Sequence, residues 1–196
     1  MNEKKTVLLC VTGSVAAYKA AEIARELIRS GVRVRVAMTP AGRQFVTPLT
    51  FEALTGNPVA TDVFDNRAAG AVPHIRLAAE SDLILVAPAT ADAIARLAQG
   101  LGDDIVCCTA LASDRPLVIA PAMHSNMWFH PATQANLDVL RARGAVVVGP
   151  SSGDLASGDK GAGRLTDIDV IVGETLAVLG REGDLAGRHI VVTAGG

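Results

Sequence analysis

The sequence is poor in aromatic residues, which make up only 3% of its 196 positions and include a single Trp and a single Tyr. Hydrophobic residues nevertheless account for 49% of the chain. A core built from this chain must therefore be aliphatic, made of Ala, Val, Leu and Ile. The length suffices for one domain with a sizeable core, or for one domain plus a fragment of another.

An excess of charge is also lacking, since 18 Lys and Arg against 20 Asp and Glu leave a net charge of −2. Nucleic acid and anionic membrane surfaces are therefore not expected partners. No apolar run approaches the roughly 18 residues of a membrane-spanning helix. The start imitates a signal peptide, but Glu3 and the turn at Gly13-Ser14 argue against one. We therefore expect a soluble, cytoplasmic protein.

Cysteine is scarce, with Cys10 in an apolar run and Cys107 next to Cys108. No Cys-x-x-Cys pair is present, so the sequence predicts neither a zinc site nor a disulfide framework. This usage fits a reducing compartment. The simplest interpretation of all three is small buried hydrophobic residues.

What the sequence does contain is a regular alternation of short apolar runs with segments of helical periodicity. This alternation predicts an α/β fold, a three-layer, doubly wound parallel sheet of the Rossmann or flavodoxin-like kind. The predicted strands cover residues 6–12, 32–38, 59–64, 82–87, 117–120 and 145–148. The predicted helices cover residues 16–29, 74–81, 91–99, 103–112, 131–143 and 168–179, with further helical segments in 41–56. Residues 150–164 are predicted to form a glycine-rich loop.

The predicted strands end in small, neutral and hydroxyl-bearing residues. Right-handed crossovers bring the carboxyl ends of parallel strands to one edge, where open α/β sheets bind their ligands. That edge would gather Gly13-Ser14, with Ser14 as an N-cap, Thr39, Pro88-Ala89-Thr90, residues 121–124 and the loop at Gly149. Such an edge resembles a cradle for a polar ligand, although each residue could simply be a turn or capping residue.

The fourth of these strand ends is followed by the most residues with functional side chains. The apolar run 117–120 stops at Pro121 and is followed by Met123, His124, Asn126 and Trp128. This stretch is either a wall of the site or a strand, a turn and a helix start with Met and Trp in the core.

The absence of known nucleotide-binding motifs limits which ligands this edge could bind. The first turn lacks G-x-G-x-x-G, no Walker motif is present, and the second strand ends without a carboxylate for an adenosine ribose. A phosphate could still bind at Ser14, with hydroxyls of Thr39, Thr90 and Thr109 nearby. One phosphate and a mostly apolar edge favour a mononucleotide such as FMN over NAD.

Four motifs in order resemble those of a known family, the homo-oligomeric flavin-containing cysteine decarboxylases. They are Thr12-Gly-Ser-Val-Ala-Ala-Tyr-Lys19, Pro73-His-Ile75, Ala87-Pro-Ala-Thr90 with Ala98-Gln-Gly-Leu-Gly-Asp-Asp-Ile105 downstream, and Pro121-Ala-Met-x-x-x-Met-Trp128. Within this family the chain is most similar to the phosphopantothenoylcysteine decarboxylases. The resemblance implies FMN-dependent conversion of 4′-phosphopantothenoylcysteine to 4′-phosphopantetheine in coenzyme A biosynthesis. It also implies trimers with shared active sites, which often assemble into dodecamers.

The resemblance assigns catalytic roles to His74, His124 and Ser157. His124 stands where the family usually has an Asn that orients the substrate carboxylate. Ser157 stands where the family has a cysteine, on a flap that covers the substrate, which protonates the enethiolate. Either Asp159, a neighbouring His or water would have to donate this proton, or that step is altered. The implied cofactor-binding residues are Gly13, Ser14, Thr39, Phe45, Pro88, Ala89, Thr90, Cys108, Thr109 and Met123. The implied substrate-binding residues are Asn126, Ala156, Lys160 and Arg164, and no metal ligands are expected.

The end of the chain suggests a second domain. Residues 1–180 are predicted to form the decarboxylase domain, residues 181–187 a linker, and residues 188–196 the truncated start of a phosphopantothenate–cysteine ligase domain. Ligase activity is then expected to be absent from this chain. The alternatives are a non-catalytic flavin-binding regulatory or scaffold relative, or a peptidyl-cysteine decarboxylase or flavin prenyltransferase of the same fold. The ligase-like end argues against the last two.

Overall fold

Five parallel strands form the central sheet of the structure, a computed structural model that describes residues 4–64, 72–154 and 158–180. The strand order is β2-β1-β3-β4-β5, and every pair is parallel. This is the flavodoxin-like order, in which the winding direction reverses between β1 and β3. The predicted fold class is therefore confirmed. The strands are β1 Thr6–Val11, β2 Arg33–Met38, β3 Leu83–Ala89, β4 Leu117–Pro121 and β5 Val146–Val147.

Helices cover both faces of this sheet. The helices are α1 Lys19–Arg29, α2 Pro48–Thr55, α3 Pro73–Glu80, α4 Ala91–Gln99, α5 Ile105–Leu111, α6 Ser125–Trp128, α7 Pro131–Ala142 and α8 Ile168–Leu179. Short 3₁₀ helices occupy Val15–Tyr18 and Gly42–Gln44. None of the helices in the described ranges is long and apolar enough to cross a membrane.

The core lies on both faces of the sheet, which explains why the strands read as continuous apolar runs. In β1, Val7 and Leu9 pack on the face covered by α1, α2 and α8, whereas Leu8 and Cys10 pack on the opposite face. All six residues of β1 are buried. This burial leaves the strand ends as the places where the sheet can meet a ligand.

Two sequence expectations are corrected by the structure. Residues 59–64 do not form a strand, because only an isolated bridge joins Ala60 to Ala37 before Asp62 accepts a hydrogen bond from the Phe64 N–H at 2.9 Å. Val59 is buried, but Phe64 is 84% exposed, and the pairing with β2 does not continue beyond the bridge at Ala60. The predicted loop at 150–164 contains an antiparallel hairpin, β6 Ser151–Asp154 paired with β7 Lys160–Arg164. The sequence did not predict these strands, because glycines lack the side chains whose apolar–polar alternation indicates a strand.

Candidate functional site

Thr12 joins the carboxyl ends of β1 and β3 at the point where the winding direction changes. Its hydroxyl donates to the Pro88 carbonyl at 2.6 Å and accepts from the Thr90 N–H at 3.1 Å. The Thr90 hydroxyl in turn caps α4 by accepting from the Ala93 N–H at 3.2 Å. The side chain of Thr12 therefore fixes the path of the backbone as it leaves β3.

We expect Thr12→Val to destabilise the fold by about 1–3 kcal/mol, because it leaves a buried acceptor at Pro88 and a partly buried donor at Thr90 without their partner. Urea unfolding measures this loss. Thr12→Ser, which keeps the hydroxyl, is the matched control and should retain most of the stability. Equal stability of the Val and Ser variants would contradict the assigned role.

The turn after β1 packs closely against the segment that follows β2. A Cβ on Gly13 would overlap the Ala41 Cβ, and a Cβ on Gly42 would lie 2.5 Å from the Val11 carbonyl oxygen. Ser14 follows in extended conformation, and its hydroxyl accepts from the Ala16 N–H at 3.2 Å. The predicted N-cap is thus confirmed, although it begins a 3₁₀ turn rather than α1 itself.

The segment after β4 forms the facing wall together with the β6–β7 hairpin. The Met123 N–H donates to the Gly163 carbonyl at 2.9 Å, and the Ser125 hydroxyl donates to the Ala162 carbonyl at 2.6 Å. Gly163 allows this contact, since any Cβ there would overlap the Met123 carbonyl oxygen. The hairpin is therefore held on the sheet edge by one main-chain bond and by one bond from the Ser125 side chain.

His124 is the polar centre of this wall. Its Nδ1 caps α6 by accepting from the Asn126 N–H at 3.2 Å, and its Nε2 lies 3.2 Å from Asp159 Oδ2. A neutral imidazole has one donor and one acceptor nitrogen. Because Nδ1 accepts, we assign the ring proton to Nε2, which donates to Asp159.

A cavity of about 600 Å³ lies between these walls at the carboxyl edge of the sheet. This volume is within the range of small-molecule and cofactor sites. The structure brings together six of the sequence-predicted residues as its lining, namely Gly13, Ser14, Thr90, Met123, His124 and Arg164. Sequence reasoning missed Tyr18, Lys19, Met127 and Asp154, which also line it. The first three lie within the motifs quoted above, so their positions could have been found.

Other predicted cofactor residues lie outside the cavity lining. The Thr39 hydroxyl accepts from the Gly42 N–H at 3.0 Å, and the fully buried Thr109 hydroxyl donates to the Ile105 carbonyl at 2.6 Å. The Cys108 thiol donates to the Gly102 carbonyl. The pKa of this thiol is raised, mainly by its partial burial and secondly by the negative charge of Asp104. Pro88 and Ala89 are buried beneath the edge, whereas Phe45 is exposed. These residues shape the edge or lie beside it.

His74 lies near the carboxyl edge of the sheet, at the second residue of α3, but does not line the cavity. It is half-buried, and its Nδ1 is buried without a hydrogen-bond partner among the described residues. Asn126 is exposed on α6. Ala156 and Ser157 fall outside the described residues. A single chain therefore does not bring His74 and His124 to the same cavity.

The predicted phosphate partners differ in their surroundings. Lys160 is exposed, and its Nζ lies 3.6 Å from Asp154 Oδ1. Arg164 donates to Asp167 at 2.7 Å, and its Nε is buried without a partner within the described ranges. Of the two, only Arg164 lines the cavity, where Lys19 supplies a second cation.

Comparison with known proteins gives consistent results. The Flavoprotein family matches residues 1–180. The coenzyme A biosynthesis bifunctional protein CoaBC of Mycobacterium tuberculosis H37Rv is 48% identical over 196 residues, which cover 98% of this chain and 46% of that protein. CoaBC of Escherichia coli K12 is 44% identical over 191 residues, which cover 97% of this chain and 47% of that protein. The chain therefore spans about half the length of these relatives.

Solved structures agree with the sequence relatives. A mutant PPC decarboxylase complexed with pantothenoylaminoethenethiol matches with a TM-score of 0.79 and 30% identity, covering 89% of this chain and 98% of that one. The FMN-dependent cysteine decarboxylase SpaF matches with a TM-score of 0.78 and 32% identity, covering 90% and 97%.

Proposed function

This chain belongs to the Flavoprotein family, and from that premise we propose that it binds FMN and decarboxylates 4′-phosphopantothenoylcysteine to 4′-phosphopantetheine. The observation that carries the proposal is the cavity at the β1–β3 switch point, which is lined by Ser14, Met123 and His124. The names of the CoaBC relatives and of the PPC decarboxylase structure support the same reaction. The reaction belongs to coenzyme A biosynthesis, and we place the protein in the cytoplasm.

The residues of the cavity suit a flavin mononucleotide. Val15, Met123 and Met127 give it apolar walls, and Ser14 provides a hydroxyl. Lys19 and the partly unpaired Arg164 supply positive charge for phosphate groups of cofactor and substrate. Bound FMN would supply the oxidant for the substrate thiol and the hydride that completes the product.

Residues of the chain itself would orient the substrate and donate or accept its protons. His124 offers an Nε2–H to the substrate carboxylate, because its Nδ1 is already engaged with Asn126. His74 would act close to the carboxylate and the thiol. Ser157 takes the place of the family cysteine, and a hydroxyl is a much weaker acid than a thiol of pKa about 8.5. The proton for the enethiolate would then come from Asp159, a neighbouring histidine or water.

We further propose that three copies form a ring with each site shared between neighbours, and that these trimers assemble into a dodecamer. The position of His74 near the sheet edge, but outside the cavity of its own chain, supports this arrangement. Val72 and Ile75 beside it are 51% and 52% exposed, and exposed apolar residues around a functional group favour an interface.

In the full-length protein, we propose that residues 1–180 are followed by a linker at 181–187 and by a ligase domain that starts at 188. The name of the CoaBC relatives and their length, about twice that of this chain, support this division. Residues 181–196 lie outside the described part of the structure. Ligase activity belongs in this proposal to the longer protein and not to the present chain.

The deciding experiment is an absorbance spectrum of the purified protein, followed by anaerobic addition of 4′-phosphopantothenoylcysteine. We expect a yellow protein that bleaches transiently and releases carbon dioxide. A peptide ending in cysteine serves as the competing substrate and should not bleach the flavin. Binding without bleaching would favour a non-catalytic flavin-binding relative, and a protein unable to take up FMN would refute the assignment of the cavity.

A further inference from the structure

A second cavity, of about 580 Å³, lies at the amino ends of the strands, opposite the edge that carries the proposed active site. Its lining includes Thr6 and Arg33, the first residues of β1 and β2. β1 has six residues, so at about 3.3 Å per residue the two edges of the sheet are roughly 20 Å apart. A ligand in this amino-end cavity would therefore be separate from one bound at Ser14 and His124.

The lining of the amino-end cavity is polar and rich in cations. Among the residues that line it, only Ala79 is apolar. Five are positively charged, namely Lys4, Lys5, Arg33, Arg35 and Arg115, and two are negatively charged, namely Glu80 and Asp82. The carboxyl end of α3 also faces the cavity, but a helix end carries only about half a negative charge. The cavity is therefore clearly positive, in a chain whose net charge is −2.

Both carboxylates of the cavity are already engaged. Asp82 accepts from Lys5 Nζ at 3.0 Å and from the Thr6 N–H at 2.8 Å. Glu80 Oε2 lies 3.2 Å from Arg35 Nη2. These contacts neutralise Lys5 and Arg35 and leave the other three cations without a carboxylate from the lining.

These remaining cations have few partners of their own. Among the described residues, the side chains of Lys4 and Arg33 make no hydrogen bond or ion pair. Arg115 is paired with Asp114 alone, at 3.5 Å, and the Asp114 side chain is 92% exposed. Arg35 donates to Asn57 Oδ1 at 3.2 Å, but its Nε is buried without a partner within the described ranges. Buried donors without a partner are rare in folded proteins, and a bound anion would supply the missing acceptor.

We propose that the amino-end cavity binds a small anion that carries at least two phosphate groups. Arg33 begins β2 and Arg115 lies just before β4, three strands away in the order β2-β1-β3-β4. Strands about 4.8 Å apart separate the two backbones by roughly 14 Å. One phosphate would draw both guanidinium groups to a single point, where they repel each other, whereas linked phosphates let each arginine bind its own group.

Titration calorimetry with inorganic pyrophosphate tests this site on the whole chain, with FMN present and at low ionic strength, where exposed charges are least screened. We expect a dissociation constant below about 1 mM, and at least about fivefold weaker binding of orthophosphate. Arg33→Gln and Arg115→Gln should each weaken pyrophosphate by about three- to tenfold, since each removes one charge-assisted contact. Both side chains are exposed, so the urea midpoints of these variants should stay close to that of the wild type.

Arg25→Gln is the matched control, because Arg25 is exposed on α1 outside the cavity and its loss removes the same charge. It should leave the dissociation constant unchanged. Lys19→Gln reports on binding at the carboxyl edge instead and should also have no effect. Absence of pyrophosphate binding, equal losses in Arg25→Gln and Arg33→Gln, or a loss confined to Lys19→Gln would overturn the site. Orthophosphate that binds as tightly as pyrophosphate would overturn the requirement for two phosphates.

Discussion

His74→Asn is expected to lower kcat for carbon dioxide release by about 10²-fold or more, the range that a positioned acid–base group contributes. The FMN spectrum should stay unchanged, because in the proposed shared site His74 acts on the substrate carboxylate and thiol and does not hold FMN. His74 lies near the sheet edge with a buried Nδ1 that has no partner among the described residues. A buried nitrogen of this kind is suited to engage a ligand or a neighbouring copy. Carbon dioxide release and flavin absorbance measured on the same sample separate the two effects.

His130→Asn is the matched control. His130 caps α7 through the Ala132 N–H, a role that Asn can also fill, so activity should persist. Mixing His74→Asn with His124→Ala tests the shared site. About a quarter of the sites in randomly mixed rings would contain both intact histidines, so activity should reappear. A wild-type kcat for His74→Asn contradicts its catalytic role, and failure of the mixture to recover contradicts the sharing of sites.

Gly163→Ala should detach the β6–β7 hairpin from the wall of the cavity. Gly163 has φ +137°, a conformation that other residues rarely adopt, and a Cβ would overlap the Met123 carbonyl oxygen. The backbone strain alone costs about 1–3 kcal/mol. We expect the Met123 N–H, which bonds to the Gly163 carbonyl, to exchange with solvent about tenfold faster or more. Amide hydrogen exchange at Met123 measures the change.

Gly144→Ala provides the comparison for this variant. Gly144 also has a positive φ, of +91°, but a Cβ there would meet nothing within 4 Å. It should therefore lose some global stability from strain while the Met123 amide keeps its protection. Unchanged exchange at Met123 in Gly163→Ala would show that the hairpin does not depend on that glycine.

The sheet and its binding edge could be predicted from sequence because their cause is local. Buried parallel strands need unbroken apolar runs, as in Thr6–Val11 and Leu83–Ala89, and parallel winding then brings the strand ends to one edge. Ser14 and Thr90 could be recognised as caps for the same reason, since a cap is defined by its own helix start. A strand at 59–64 was wrongly expected, because the residues favour a strand locally but the pairing with β2 is limited to one bridge at Ala60.

The sequence by itself therefore determined the fold class, the edge that carries the site and the family. Only the tertiary structure decided which candidates share a cavity. Ser14 and Arg164, far apart in sequence, both line the cavity, whereas the hydroxyls of Thr39 and Thr109 are hydrogen-bonded to nearby main-chain groups. Likewise, only the folded hairpin brings Asp159 to His124. The reason is physical: helix, strand and cap signals act over a few residues, but side-chain convergence depends on packing across the whole chain.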